Sequence, residues 1–575
     1  MCGIIAIAGT CVDKKRYRID AMLEALKFRG PDGVGEYTSS HCWLGHRRLA
    51  IIDLKNGNQP MVDERLAISF NGEIYNYREL RDELEREGFK FKSHSDTEVI
   101  LKSYRMWGDE CPKHLDGMFS FIIWNDERSE LFVARDRFGK KPLYYFFDRD
   151  AILLASEIKS LIASGVLVPQ LDYKAIDNYL RLMYIPPWKS VYENIHQVPP
   201  AHCGIFKDGK LLLKRYWTLI HNPINISYDD AKSEVHCLLR DAIKKRLTTS
   251  DVEIGMFLSG GIDSSLVSLI AAKELDHPIK AFSVSYDGSD ELPFAKQVSE
   301  KIGAEHFSVS IDKAITEEID KVILYFDEPH ADTSDFPQHF VSGLASQKVK
   351  VVLSGDGADE VFLGYKWHVK QENSDIDYFQ ERLHSICAFT SQQREMLWRS
   401  SDIVNDDILA ESVFKYIIDP IDRVTVFDLT SHLSGQILTK VDRAGMMHSL
   451  EVRSPFLDTA LVEFVFNLPY EYKVRDGEQK CILRDILAEY MPQDFVHRRK
   501  QGFGAPIEKW LQDSTMKAYV YAKLGIDSQI RSFLSGEEID KHLSNFYVEK
   551  QRPERAAQRL WVLLCLEQWM VHSNL

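Results

Sequence analysis

The sequence predicts a two-part α/β protein: a mixed α+β N-terminal half with stacked antiparallel sheets, then a parallel α/β sheet followed by a largely helical C-terminal part. Three observations point there. The chain has 575 residues, more than one hydrophobic core usually organises, so two or more domains follow. Short β-rich runs dominate up to about residue 200, and strands alternate with helices beyond about residue 230.

In the first half the strand-like runs are 4–8, 66–70, 119–124, 131–134 and 152–155, interrupted by helical stretches at 78–87 and 97–106. Pro186, Pro187, Pro199 and Pro200 punctuate a turn-rich passage, and 207–214 reads as a final hairpin before a polar crossing at 221–227. Such punctuation marks linkers, so the division expected is 1–210 and 225–575. Beyond it come a helix at 231–246, a strand at 253–258, a helix at 265–275, a strand at 279–285, a helix near 336–347 and a strand at 349–353. That alternation implies a parallel sheet covered on both faces. From about residue 370 helical patterning prevails, ending in an apolar segment at 560–570 that reads as a core helix.

Hydrophobic residues at 45% and charged residues at 27% describe an ordinary folded chain. A formal charge of −15 works against non-specific binding to nucleic acid or to an anionic membrane. No run approaches the ~18 apolar residues of a membrane span, and the start MCGIIAIAGT lacks a basic leader, so a cytoplasmic protein is expected. The nine cysteines contain no C-x-x-C pair, which argues against a zinc site and for reduced, mostly structural thiols.

Cys2 stands apart because of its position. If Met1 is removed, the chain begins with a thiol whose base can be its own α-amino group, and their reference pKa values of about 8.5 and about 7.7–8.0 allow easy proton exchange. The segments RGPDG (29–33), GHRRLAIIDL (45–54), FNGEIYN (70–76), SDTEVIL (95–101), DGMFSF (116–121) and ARDRFGKKPLYY (134–145) follow in order. This series resembles the class II glutamine amidotransferases, and the resemblance implies an αββα sandwich of the N-terminal nucleophile hydrolase kind. It also implies roles. Cys2 would attack the glutamine carboxamide, the Asn71 side chain and the Gly72 N–H would form the oxyanion hole, Arg48 would hold the α-carboxylate, and Asp96 with Glu73 the α-ammonium. Plainer alternatives are a surface ion pair for Arg48, a helix cap for Asp96 and a hairpin turn for Asn71–Gly72.

A second constellation begins where the strand at 253–258 runs into Ser259-Gly260-Gly261-Ile262-Asp263-Ser264 and then a helix. Small residues let backbone N–H groups close on phosphate oxygens, and the helix N-terminus adds positive potential. There is no G-x-x-x-x-G-K-[ST] motif. SGGIDS instead resembles the loop of enzymes that split ATP between its α- and β-phosphates. With LSGDGADE (353–360), EQKCILR (478–484), KVDRAGMMHSLEVRSPFLD (440–458) and RRKQGFGAPIEKWL (498–511), the pattern resembles the glutamine-hydrolysing asparagine synthetases from Cys2 to at least Leu511.

That resemblance implies ATP contacts at Leu258, Ser259, Gly260, Gly261, Asp263, Ser264, Val284, Ser354, Gly355 and Lys480, with Mg²⁺ on Asp263 and Asp359 and a catalytic acid at Asp356. The plainer alternatives for Lys480 and Asp356 are a surface lysine and a turn aspartate. The implied substrates are glutamine, ATP and a carboxylate, most directly aspartate, in an enzyme that could be a homodimer. A passage for ammonia lined by small and apolar residues and a mobile cover near 499–506 are expected as well. Three departures leave a sugar acid or a biosynthetic intermediate open as acceptor. HADTSDFP (330–337) lacks an arginine that some relatives place there; Gly445 interrupts the frequent DRASM and would enlarge a pocket it faced; and Leu363 interrupts the frequent FGGY. A relative without catalysis is a further alternative, which Cys2, Asp263 and Asp359 oppose.

Overall fold

The computed structural model describes residues 1–10, 12–286, 291–311, 316–369, 378–400, 403–404, 420–498, 502–549 and 555–573. Two six-stranded antiparallel sheets form the first half. One runs, in spatial order, His196–Gln197, Tyr144–Asp148, Ala151–Ala155, Gly3–Ala8, Cys42–Arg48 and Gly33–Thr38; the other runs Lys210–Arg215, His202–Lys207, Glu130–Arg135, Gly117–Asn125, Leu66–Ile74 and Met61–Asp63.

Alternate residues of each strand serve different layers. Ile4, Ala6 and Ala8 meet Ile122, Trp124, Leu131 and Val133 between the sheets. Ile5 and Ile7 face outward to Met22, Leu23, Ile158 and Leu161 of the helices Ile19–Ala25 and Ile158–Ala163. On the far side Phe70, Phe119 and Phe121 pack with Leu80, Leu84, Val99 and Ile100 of the helices Tyr77–Arg86 and Asp96–Trp107. The layers are therefore αββα, and strands buried on both faces explain why Gly3–Ala8 is an unbroken apolar run. Five strands were not foreseen, among them Gly33–Thr38, whose alternating exposure marks a sheet edge.

The second half is built on a five-stranded parallel sheet ordered Glu305–Ile311, Lys280–Tyr286, Ile254–Phe257, Val351–Leu353 and Glu451–Arg453. Ile254–Phe257 is central, and its successors lie to one side and then the other. Strand order reverses there, which opens a crevice at the strands' C-terminal ends. The Glu451–Arg453 strand escaped the sequence reading because both its charged residues are buried, where the pattern rules expect apolar ones. Helices dominate the remainder. One continuous rod runs from the α-helix Pro420–Phe427 through the π-helix Asp428–Ile437 into the α-helix Leu438–Met446. The C-terminal helix Ala556–Ser573 is a core element, and Tyr179 of the first half donates a 2.8 Å hydrogen bond to its Val562 carbonyl. Among the described residues no helix is long and apolar enough to cross a membrane.

Candidate active sites

Cys2 lies on the strand-entry side of Gly3–Ala8, paired in the sheet with Cys42–Arg48. Its backbone N–H donates to Asn71 Oδ1 at 2.9 Å, and its Sγ is 3.9 Å from the Leu49 carbonyl. Burial pushes the thiol pKa up, while the neighbouring α-ammonium and Arg48 pull it down. Asn71 Nδ2 is buried without a hydrogen-bond partner among the described residues. A donor kept dry and free is what an oxyanion hole requires. Asn71 and Gly72 lie within Leu66–Ile74, not in a turn. Gly72 has φ +147°, and a Cβ there would stand 2.0 Å from the Met118 carbonyl oxygen, so only glycine fits.

Arg48 is no surface pair either: it is buried and donates to Asn58 Oδ1 and to the carbonyls of Ile52, Asp53 and Leu54, which fix its guanidinium beside the 52–58 loop. Ser95 caps the Asp96–Trp107 helix. Asp96 is thereby left to accept the Ile74 N–H at 3.1 Å, and burial raises its pKa to about 6. Glu73 sits 3.3 Å from Arg453 of the second half, and burial together with Glu451 raises its pKa well above the ordinary carboxylate range.

Two further buried contacts lie beside Cys2, and the second is made by a residue that the sequence reading passed over. The Met1 ammonium is buried against Glu451 at 3.0 Å. Arg29, the first residue of RGPDG, donates from Nε to the Cys2 carbonyl at 3.0 Å and from its other nitrogens to Glu157 and to both Asp442 oxygens. The contact between the two halves is thus rich in buried ion pairs.

At the second site the crevice is a cavity of about 400 Å³. Leu258, Ser259, Gly261, Asp263, Ser264, Val284, Ser354, Gly355, Asp356, Asp359 and Lys480 all line it. Gly260 is turned aside: its φ is +82°, and a Cβ would meet the Ala295 nitrogen at 2.6 Å. Ser259 and Ser264 hold the loop by a 2.9 Å hydroxyl contact, and the Ser259 hydroxyl accepts the Gly261 N–H. Lys480 is buried between Asp263 at 2.6 Å and Asp359 at 2.7 Å. Gly364 makes that meeting possible, because a Cβ there would lie 2.0 Å from Asp359 Oδ1 and 2.2 Å from Lys480 Cε.

Magnesium fits these residues on one observation: Asp263 Oδ1 is buried and without a hydrogen-bond partner among the described residues. Two carboxylates completed by phosphate oxygens suit a hard cation. Burial raises the pKa of Asp356.

Away from the loop the wall is made by Asp332, Ser334, Gln338, His432, Gln436 and Lys440. Lys440 Nζ donates to Ser334 Oγ at 2.8 Å and lies 3.6 Å from Asp332 Oδ2. Burial opposes ionisation of Asp332, but Lys440 and His330 hold its pKa down to about 2. His432 and Gln436 of the π-helix and Lys440 of the α-helix that follows it stand four residues apart, which puts them on one side of the rod. Gly445 does not face this cavity: a Cβ would meet the Leu450 carbonyl oxygen at 2.9 Å. Leu363 keeps the left-handed backbone at φ +55°, a conformation that suits glycine, while its side chain is buried with Ile421 and Val474. Residues 499–501 of the expected cover lie outside the described residues. Gly502 and Gly504 line the cavity, and both carbonyls accept from the Tyr286 hydroxyl.

A family model described as glutamine amidotransferase domain matches residues 1–217, and one described as asparagine synthase matches residues 234–571. Asparagine synthetase [glutamine-hydrolyzing] 1 of Bacillus subtilis (strain 168) is 32% identical, covering 99% of this chain and 96% of its own. Asparagine synthetase [glutamine-hydrolyzing] 3 of the same organism is 32% identical over 88% and 87% of the two chains. Asparagine synthetase [glutamine-hydrolyzing] of Triphysaria versicolor is 30% identical over 88% and 77%. A buried thiol on an αββα sandwich, joined to a glycine-rich loop on a parallel sheet, stands in a chain whose matches are carbon–nitrogen ligases that hydrolyse glutamine. This chain belongs to the asparagine synthase family.

Proposed function

We propose that the chain, once Met1 is removed, hydrolyses glutamine at Cys2 and passes the ammonia to an aspartate activated by ATP, giving asparagine, AMP, pyrophosphate and glutamate. Cys2 Sγ attacks the carboxamide carbon while its own α-amino group takes the thiol proton. Asn71 Nδ2 and the Gly72 N–H take the developing oxyanion. Arg48 and Asp96, with Glu73, orient the amino-acid end of glutamine. Ammonia leaves, and water frees glutamate from the thioester.

At the second site the acceptor carboxylate attacks the α-phosphorus and pyrophosphate leaves. Lys480 and the loop N–H groups stabilise the departing charge. Mg²⁺ held by Asp263 and Asp359 would supply further positive charge to the phosphate oxygens. Ammonia then adds to the acyl carbon, Asp356 takes up its surplus proton, and AMP leaves.

The observation that carries the acceptor reading is the Lys440–Asp332 pair on the cavity wall. It places a cation and an anion side by side, as an α-carboxylate and an α-ammonium demand. Lys440 supplies the charge that the missing arginine of 330–337 would have brought, and Gly445 opens no extra room. The test is pyrophosphate release with ammonium, ATP and a panel of carboxylates. Aspartate is expected to yield asparagine and AMP in equal amounts at about 1 per second or faster. Turnover about a thousandfold lower than with another carboxylate would remove aspartate and leave the amidotransferase chemistry standing.

A further inference from the structure

We propose that occupancy of the synthetase site sets the orientation of Cys2 through the Leu438–Met446 helix, with Asp442 and Arg29 as the positioning residues. This rests on the two-site reading above. Lys440 and Asp442 are two positions apart on one helix, about 200° around its axis, and so serve opposite faces. Lys440 reaches the cavity, where Ser334 and Asp332 engage it. Asp442 reaches the other half, where it accepts Arg29 at 2.7 and 3.1 Å. Arg29 in turn holds the Cys2 carbonyl. All three side chains are buried.

Each link is a direct contact that is costly to break. Separating a buried charge from its partner is strongly unfavourable, so a shift of the helix carries Arg29 with it. The shift has a cause and an outlet. An acceptor carboxylate competes with Ser334 and Asp332 for Lys440 and draws the helix toward the cavity. The π segment immediately upstream, whose His432 and Gln436 also line the cavity, has a looser hydrogen-bond register that can absorb the movement. Arg29 fixes the plane of the Cys2 peptide, from which Sγ hangs. The filled synthetase site therefore steadies the nucleophile, and by linkage bound glutamine favours acceptor binding to the same degree.

The experiment measures kcat/KM for glutamine hydrolysis by the full-length, Met1-processed enzyme with and without ATP, Mg²⁺ and aspartate, beside ammonium-supported synthesis. The parent is expected to gain at least about fivefold, the lower end of ordinary coupling. Asp442→Asn should gain less than about twofold, release surplus glutamate per amide made and keep ammonium-supported synthesis, with the residual coupling set by one lost charge-assisted contact. Arg29→Lys, which keeps the charge and loses the two-pronged contact, should behave alike. A parental gain in Asp442→Asn, or no gain in the parent, overturns the coupling. Loss of ammonium-supported synthesis in both variants also overturns it, since the network then serves folding. Failure of the parent itself with ammonium and every carboxylate is distinguishable, because that result sinks the two-site reading.

Discussion

Around Cys2 the polar groups are closed in, with Asn71 fully buried and Glu73 and Asp96 each 4% exposed, whereas the 259–264 loop and the 354–360 segment open onto a cavity of about 400 Å³. The first site is filled by its own chain start: Met1 is buried and its ammonium engages Glu451. The second is kept open by residues without side chains, Gly355 and Gly364, each facing a group that a Cβ would strike. One site is thus closed around its side chains and the other is open. The comparison teaches that the two sites hold their charges differently: burial raises the pKa of the Cys2 thiol, while in the open cleft Lys480 and Lys440 already face carboxylates.

The largest effect should come from separating the two sites. Cys2→Ala is expected to lower glutamine-supported synthesis by at least about a thousandfold while ammonium salts still support it. Equal loss with both nitrogen sources would break the comparison. Next, Lys440→Met removes the cavity-wall cation from Asp332. Loss of one partner of a buried charge pair costs about 2–5 kcal/mol, so kcat/KM for aspartate should fall roughly 30- to 5,000-fold, with glutaminase measured in the absence of ATP changing far less.

A pH profile sharpens the contrast further. The Asp96 pKa is raised from 3.8 to about 6, chiefly by burial. Its contribution to stability is therefore fully present below the unfolded pKa and is lost as pH rises through about 6. Glutamine binding runs the other way, because only the ionised carboxylate meets an ammonium. KM for glutamine should rise up to about tenfold for each pH unit below about 6, and Asp96→Asn should flatten the profile at a high KM. A profile unchanged in that variant would assign the titration elsewhere. The smallest effect belongs to Gly445→Ala. Overpacking against the Leu450 carbonyl costs about 1–3 kcal/mol, and a gain in helix propensity of about 1 kcal/mol offsets part of it. A small drop in the denaturant midpoint and no change in acceptor choice are expected.

Much of the first site was legible because its residues sit in contiguous strings on regular strands, where one motif carries several roles. Glu451 and Arg453 were not legible as site residues, since they lie in a three-residue strand more than 375 positions beyond Asn71 and only the fold brings them there. Arg29 stood in a motif already noticed; its partners Cys2 and Asp442 had no sequence signal linking them. The sheet beyond the linker was foreseen from alternating strands and helices, yet its edge strand Glu305–Ile311 was missed. The polar cavity wall was hidden for a different reason. His432, Gln436 and Lys440 recur at four residues, a spacing that any helical face shows, so nothing in the pattern marked them as the lining of a cavity.

The π-helix Asp428–Ile437 makes the length of this rod a functional quantity in its own right. A wide turn accommodates residues that an α-helix of the same span would not, so deleting one residue within it lets the chain return to ordinary α-helical register. A one-residue deletion in the first turn of Leu438–Met446, which has no wide turn to give up, would instead turn Lys440 and Asp442 by about 100° about the axis, away from the cavity and from Arg29 together. Single-residue gaps are therefore expected to be better tolerated in the π segment than in the α-helix that follows it.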